Sequence, residues 1–98
     1  MTIIWSSQAQ DDLAAIRTFI ARDSERYAQL TIERIIAATD QLLNFPRSGR
    51  VVPEVGDDNL RELLVGFYRV VYRLQDPSIG IATVVHMSRD FHPPEGAA

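Results

Sequence analysis

Apolar residues recur along this chain with two different periods, and the change from one to the other divides it. Thr2 to Trp5 is β-branched and aromatic and reads as a short strand. In Ser7-Gln8-Ala9-Gln10 a hydroxyl is followed three residues on by an amide, a capping box with Ser7 as N-cap. Ala9, Leu13, Ile16 and Ile20 then fall at helical spacing, so a helix is predicted over about Gln8 to Ala21. Asp11 and Asp12 lie in its first turn, where carboxylates suit the helix dipole. Arg22-Asp23-Ser24 is a polar break in which Asp23 or Ser24 caps a second helix. Ala28, Ile32, Ile35, Ile36, Thr39, Leu42 and Leu43 keep the period, and Phe45-Pro46 ends the helix near Asn44, because the residue before proline is driven from the α region. The short link makes the two helices an antiparallel hairpin with facing apolar stripes.

From Pro46 to Asn59 the composition turns to Gly, Pro, Arg and acids, a connector long enough that packing or function must order it. Three strand-like runs follow. Leu60 to Val65 leads into Gly66-Phe67, where glycine at the first central position predicts a two-residue type II′ turn. Tyr68 to Leu74 returns, alternating Tyr68, Val70, Tyr72 and Leu74 against Arg69, Val71 and Arg73. After a turn at Asp76-Pro77-Ser78, Ile81 to Val85 is the continuous β-branched run of a central strand. The tail from Phe91 to Ala98 is expected to fray. The expected fold is therefore α+β, a single domain over residues 1–98. It has an N-terminal strand, a two-helix antiparallel hairpin and a three-stranded antiparallel meander. The helices cover one face of the sheet, and the other face is expected to be partly open and to show Arg69 and Arg73.

Composition narrows what such a domain can do. At 98 residues the chain is near the lower end of what buries a self-sufficient core, so its stability can lean on a partner. The absence of cysteine excludes disulfides, thiolate metal sites and cysteine nucleophiles. There is no signal-like N-terminus and no apolar run near the roughly 18 residues of a membrane span, so a cytoplasmic location is expected. A net charge of −3 and a pI near 5.2 argue against a generic nucleic-acid binder, which needs a basic stripe to displace counterions from phosphates. All 10 basic residues are arginine, which fits planar, bidentate contacts with carboxylates, phosphates or rings; compositional drift of a genome produces the same usage.

Several features stand in a fixed order: Trp5 followed by Ala9, Asp12-Leu13 and Ile16; Phe45-Pro46-Arg47-Ser48-Gly49-Arg50; Arg61-Glu62-Leu63; Tyr68-Arg69-Val70-Val71-Tyr72-Arg73; and His86 with Arg89. Together they resemble the RelE/ParE toxin superfamily, nearer its ParE branch, over Trp5 to Arg89. The resemblance implies the toxin of a type II toxin–antitoxin pair, neutralised by a ParD-like antitoxin whose C-terminal segment folds onto it. RelE-like members of the superfamily cut messenger RNA in the ribosome. ParE-like members poison DNA gyrase and show no nuclease activity.

Cutting RNA through its own 2′-hydroxyl needs a base, an acid and cations for the phosphorane charge. RelE-like members usually draw on lysines, which are absent here. What remains is Arg61, Arg69, Arg73 and Arg89 as phosphate clamps, with Glu62 and His86 as base and acid. The favoured reading of His86 is instead a histidine finishing a strand, bonded to backbone or facing solvent. His92 lies six residues further on with no carboxylate pattern to complete a metal site, and no cofactor is expected. Arg69 and Arg73 share one strand face, and Arg61 is expected to approach them across the Gly66 hairpin. Either these arginines pair with Glu62, Asp57 or Asp58 as surface ion pairs, or, with Arg47 and Arg50, they meet an antitoxin or target. Apolar helix positions left exposed would form a groove for an amphipathic antitoxin helix. The reading favoured by the missing lysines and acidic pI is a toxin that binds DNA gyrase without chemistry of its own. The alternative is a ribosome-dependent mRNA endonuclease using His86 and the arginines, and a third class is a binding module of this fold without toxicity.

Overall fold

The computed structural model describes residues 1–88; Arg89 and the tail expected to fray lie outside the described residues. The elements are β1 (Thr2–Trp5), α1 (Ser7–Ala21), α2 (Glu25–Asp40), a 3-10 turn (Gln41–Leu43), β2 (Arg50–Val51), β3 (Leu60–Val65), β4 (Tyr68–Leu74) and β5 (Ser78–His86). They form one sheet in the order β1-β5-β4-β3-β2, with β1 parallel to β5 and all other neighbours antiparallel. The α+β architecture, with a strand, a helical hairpin and a meander, is the one the pattern predicts. One strand is additional: β2, only 2 residues long, lies inside the expected connector and places Arg50 opposite Glu62. No helix among the described residues is long and apolar enough to cross a membrane.

The helix ends follow their caps. Ser6, one residue earlier than expected, caps α1 by accepting the Ala9 N–H, while the Gln10 side chain donates to the Trp5 carbonyl. Ser24 caps α2 through the Tyr27 N–H. The regular helix ends at Asp40 and continues as the 3-10 turn, which buries Leu42. At 100° per residue Ile35 and Ile36 cannot share a face, so Ile35 is buried while Ile36 and, further on, Leu43 face outward.

The main core lies between the helices and the sheet. Ala9, Ile35 and Leu42 meet Val70, Tyr72, Ile79, Ile81 and Val84 there, with Trp5, Leu13 and Ile16 packed at its margin. Because β1 stops opposite Ile81, the second half of β5 loses its strand partner on that side. The start of α1 replaces it: Ser6 donates its hydroxyl to the Ala82 carbonyl, and the Asp12 carboxylate accepts the Val84 N–H and the Thr83 hydroxyl. Asp12 therefore serves the edge of the sheet, and neither it nor Asp11 lies in the first helical turn.

Tyr72, fully buried, ties the connector to this core. Its hydroxyl accepts the Gly49 N–H at 3.0 Å and donates to the Pro46 carbonyl at 2.8 Å. A Cβ at position 49 would lie 2.6 Å from both that hydroxyl and the Glu62 carbonyl, so the close approach requires glycine. Replacing Tyr72 by phenylalanine leaves two backbone groups without a partner and should cost about 2 kcal/mol, read as a lower urea midpoint. The variant should also change the alkaline limb of stability. Burial pushes the Tyr72 phenol above its ordinary 10.0, opposed by the Gly49 N–H and by Arg61 and Arg47. The folded state thus favours the protonated phenol, a contribution fully present below pH 10.0 and lost as pH rises through the raised value. Tyr72→Phe should flatten part of the decline above pH 10.0; Tyr68, also pushed up by burial, retains the rest.

Candidate functional site

Strand register decides where the arginines go. Leu60 stands opposite Arg73, Glu62 opposite Val71, and Leu64 opposite Arg69, all on the face away from the helices. The Arg69 side chain is only 6% exposed. Its two Nη atoms donate to the two Glu54 oxygens at 2.7 Å each, and Nε and Nη2 donate to Glu62 Oε1 at 2.8 and 2.6 Å. Glu62, with its side chain 0% exposed, gives its other oxygen to Arg50 Nε and Nη2, both at 2.7 Å. Arg73 reaches Asp57 at 3.2 Å. Beneath these pairs Val52, Leu60 and Val71 form a second small core with Val55 and Ala82.

The outer face of the sheet is therefore covered, contrary to the expectation of an open face showing Arg69 and Arg73. β2 carries the connector across it, burying Arg69 and half-burying Arg73. The Glu54 carboxylate, aided by Glu62 and opposed by burial, holds the Arg69 guanidinium protonated far above its ordinary range. Asp57 is held below the usual carboxylate range by the Asn59 N–H and then by Arg73.

Arg61 does not join Arg69 and Arg73. It stands opposite Tyr72 and so projects to the other side of the sheet, where it bonds the Asp58 carboxylate at 2.8 Å and the Gly49 carbonyl at 2.9 Å. Arg47 pairs with the same Asp58. The nominated arginines thus fall into two groups, Arg50, Arg69 and Arg73 outside and Arg47 and Arg61 at the margin of the connector.

His86 lies apart from both. It stands opposite Tyr68 on the helix side, four β4 positions from Tyr72 and hence about 13 Å along the strand from Arg61's position. Its Nδ1 faces the Ser88 hydroxyl at 2.8 Å and accepts the Ser88 backbone N–H at 3.2 Å. Phe67 lies parallel to the ring at 6.3 Å and Tyr68 meets it edge-on at 5.7 Å. A cavity of about 380 Å³ opens beside it, walled by Ile16 and Phe19 of α1 and by Tyr68. A second hollow shares Tyr68 and is lined by Tyr27 and Arg34 of α2 and by Phe67. Glu54, Phe19, Tyr27 and Phe67 had no place among the residues nominated from sequence. They come from loops and helix ends that only the fold brings together, and no spacing announces them.

A strand, a helical hairpin and an antiparallel meander in this order define the fold of type II toxins of the RelE/ParE kind. A solved structure described as the chromosomal ParDE TA system from P. aeruginosa superposes with a TM-score of 0.72 at 19% identity, over 88% of this chain and 95% of that one. The family described as ParE toxin of type II toxin-antitoxin system, parDE, matches residues 3–91. Toxin RelE2 of Caulobacter vibrioides is 33% identical over 88 residues, 89% of this chain and 96% of that protein. The chain belongs to the ParE toxin family of type II toxin–antitoxin systems, within the RelE/ParE superfamily.

The arrangement around Arg69 carries a stability test. Arg69→Met would leave Glu62 buried with Arg50 alone and withdraw the two guanidinium donors from Glu54, and should cost about 3 kcal/mol in urea unfolding. A loss below about 1 kcal/mol would mean that the network behaves as an ordinary exposed ion pair.

Proposed function

We propose that this protein arrests growth by binding and poisoning DNA gyrase in the cytoplasm, performs no chemistry of its own, and is neutralised by a ParD-like antitoxin. The observation that carries the reading is the separation of the groups RNA cleavage would need. Arg69 and Arg73 lie on one side of the sheet and His86 on the other, and Arg69, Arg73 and Arg61 are each bonded to acids of their own chain. A phosphorane needs cations and an acid–base pair converging on one phosphate, within hydrogen-bond reach of it. Internal carboxylates instead occupy the guanidinium groups.

Neutralisation by an antitoxin is supported by apolar residues left exposed on the helical hairpin: Phe19 on α1, and Tyr27 and Leu30, three residues apart on one side of α2, offer apolar contacts to an amphipathic helix. The relative named as a RelE toxin, and the exposed His86 beside a cavity, keep mRNA cleavage as the competing reading.

Induced alone in bacteria, the protein should stop growth, with DNA breaks and filamentation preceding any loss of transcripts. Transcripts cleaved first would assign it to the endonucleases, and undisturbed growth would make it a binding module without toxicity. Tagged protein expressed with its neighbouring genes should retain a small antitoxin through purification.

A further inference from the structure

Asp12 has hydrogen bonds but no cation. Its Oδ2 accepts the Thr83 hydroxyl and the Val84 N–H, and its Oδ1 accepts the Gln8 side chain at 2.8 Å. All of these donors are neutral, so the charge of the half-buried carboxylate is not balanced, and Asp12 makes no ion pair among the described residues. A carboxylate has about four acceptor sites, which leaves one on Oδ1. On the outer face, by contrast, Glu54, Asp57, Asp58 and Glu62 each hold an arginine. The helices as a whole do not make up the difference, since residues 7–40 carry six acids and four arginines.

That carboxylate lines the cavity of about 380 Å³ between α1 and the end of β5, whose walls include Ile16, Phe19, Tyr68 and His86. Asp12 and Phe19 stand seven residues apart on α1, about 10 Å along its axis, so the cavity has an acidic end and an aromatic end. Arg22 stands over the Phe19 ring at 5.7 Å, which shows that this wall accepts a guanidinium. It lies about 15 Å along the chain axis from Asp12, and the acidic end stays without a cation. The free edge of β5 runs past the same cavity. Because the Met87 N–H donates to the Phe67 carbonyl at the turn into β4, strand alternation turns the backbone groups of His86 the other way. They face the edge that β1 leaves open, as does the Val84 N–H that Asp12 receives.

We propose that this cavity receives an arginine or lysine side chain of the antitoxin. Its cationic head bonds Asp12 Oδ1, its stem lies against Ile16 and Tyr68, and the segment that carries it meets the His86 backbone at the strand edge. Two features select this occupant. A half-buried carboxylate without a counter-charge, walled by aromatic rings, favours a cation over a neutral or acidic group, since ring faces attract cations as the carboxylate does. A backbone donor and acceptor beside it favour a polypeptide over a small ion. The proposal rests on the toxin–antitoxin reading above.

The readout is the affinity of the full-length toxin for the antitoxin that purifies with it, with thermal melting to check that each variant is folded. Asp12→Asn keeps the shape, removes the charge and should weaken the Kd about tenfold. Ala15→Arg, at an exposed position one turn along α1, sets a guanidinium beside Asp12 from within the chain and should weaken it as much, with the bonds to β5 intact. Asp11→Asn makes the same charge change outside the cavity, and Thr83→Val removes one neutral donor to Asp12; both should stay within about twofold of wild type. Replacing the antitoxin's basic residues by glutamine one at a time should find one position whose loss weakens binding to wild type about tenfold and to Asp12→Asn hardly at all. The absence of such a position, or equal weakening by Asp11→Asn and Asp12→Asn, would overturn the proposal, with the toxin–antitoxin reading left standing because the complex still forms. A dimer of the toxin alone that Asp12→Asn makes monomeric would give the cavity to a second copy and overturn it. Loss of growth arrest in Asp12→Asn without a change in Kd would give the cavity to the target and overturn it too. Wild-type protein that binds no antitoxin would remove the toxin–antitoxin reading and the proposal with it.

Discussion

Glu62 is a carboxylate on a central part of the sheet with none of its side chain in water, and the outer half of the molecule is organised around that constraint. An ion so buried costs several kcal/mol unless cations and hydrogen bonds surround it. β4 supplies Arg69 to one oxygen and β2 supplies Arg50 to the other. Arg69, buried in turn, needs more than half a carboxylate, and Glu54 from the connector fills its remaining donors. Two acids and two arginines, from β2, the connector, β3 and β4, thereby close on one another. β2 is held where it pairs, the connector becomes a lid over Val52, Leu60 and Val71, and the guanidinium of Arg69 is withdrawn from solvent.

That network explains which parts of the fold could be read from sequence. β3, an apolar-rich run of six residues, and β4, seven residues that alternate, flank a glycine that adopts φ +57°, so their limits and their turn were legible. The helices were legible from their stripes, although Ser6 displaced Ser7 as the cap. β2 was not, because two residues have no period, and it exists only through its register against Arg61 and Glu62. The covered outer face went unseen for the same reason. Alternation along β4 correctly put Arg69 and Arg73 on one side, but alternation says nothing of what lies on top of that side.

The candidate site was legible to a lesser degree. Acidic partners for the arginines could be named as Glu62, Asp57 and Asp58, yet Glu54, the strongest partner of Arg69, sits fifteen residues away in an irregular loop. Arg61 was placed with the wrong neighbours because pairing across a hairpin depends on register: opposite Tyr72 it must face the helix side. His86 was picked out by type alone. Its neighbours Phe67 and Tyr68 follow the hairpin turn, and Phe19 and Tyr27 lie near the ends of two different helices, so only the packed chain places hollows lined by them on either side of Tyr68.

The two halves then play complementary physical parts. On the sheet face the arginines are held by acids of the same chain. On the helix side Phe19 and Phe67 are 65% and 60% exposed, and Arg17, Arg22, Arg26 and Arg34 make no ion pair among the described residues. A domain of this size gains modest stability from its core alone. Covering such residues would add apolar burial that folding leaves unused, and a partner that binds only the folded state stabilises it by mass action. For a member of a toxin–antitoxin family the same exposed surface therefore favours both association and a folded chain within the complex.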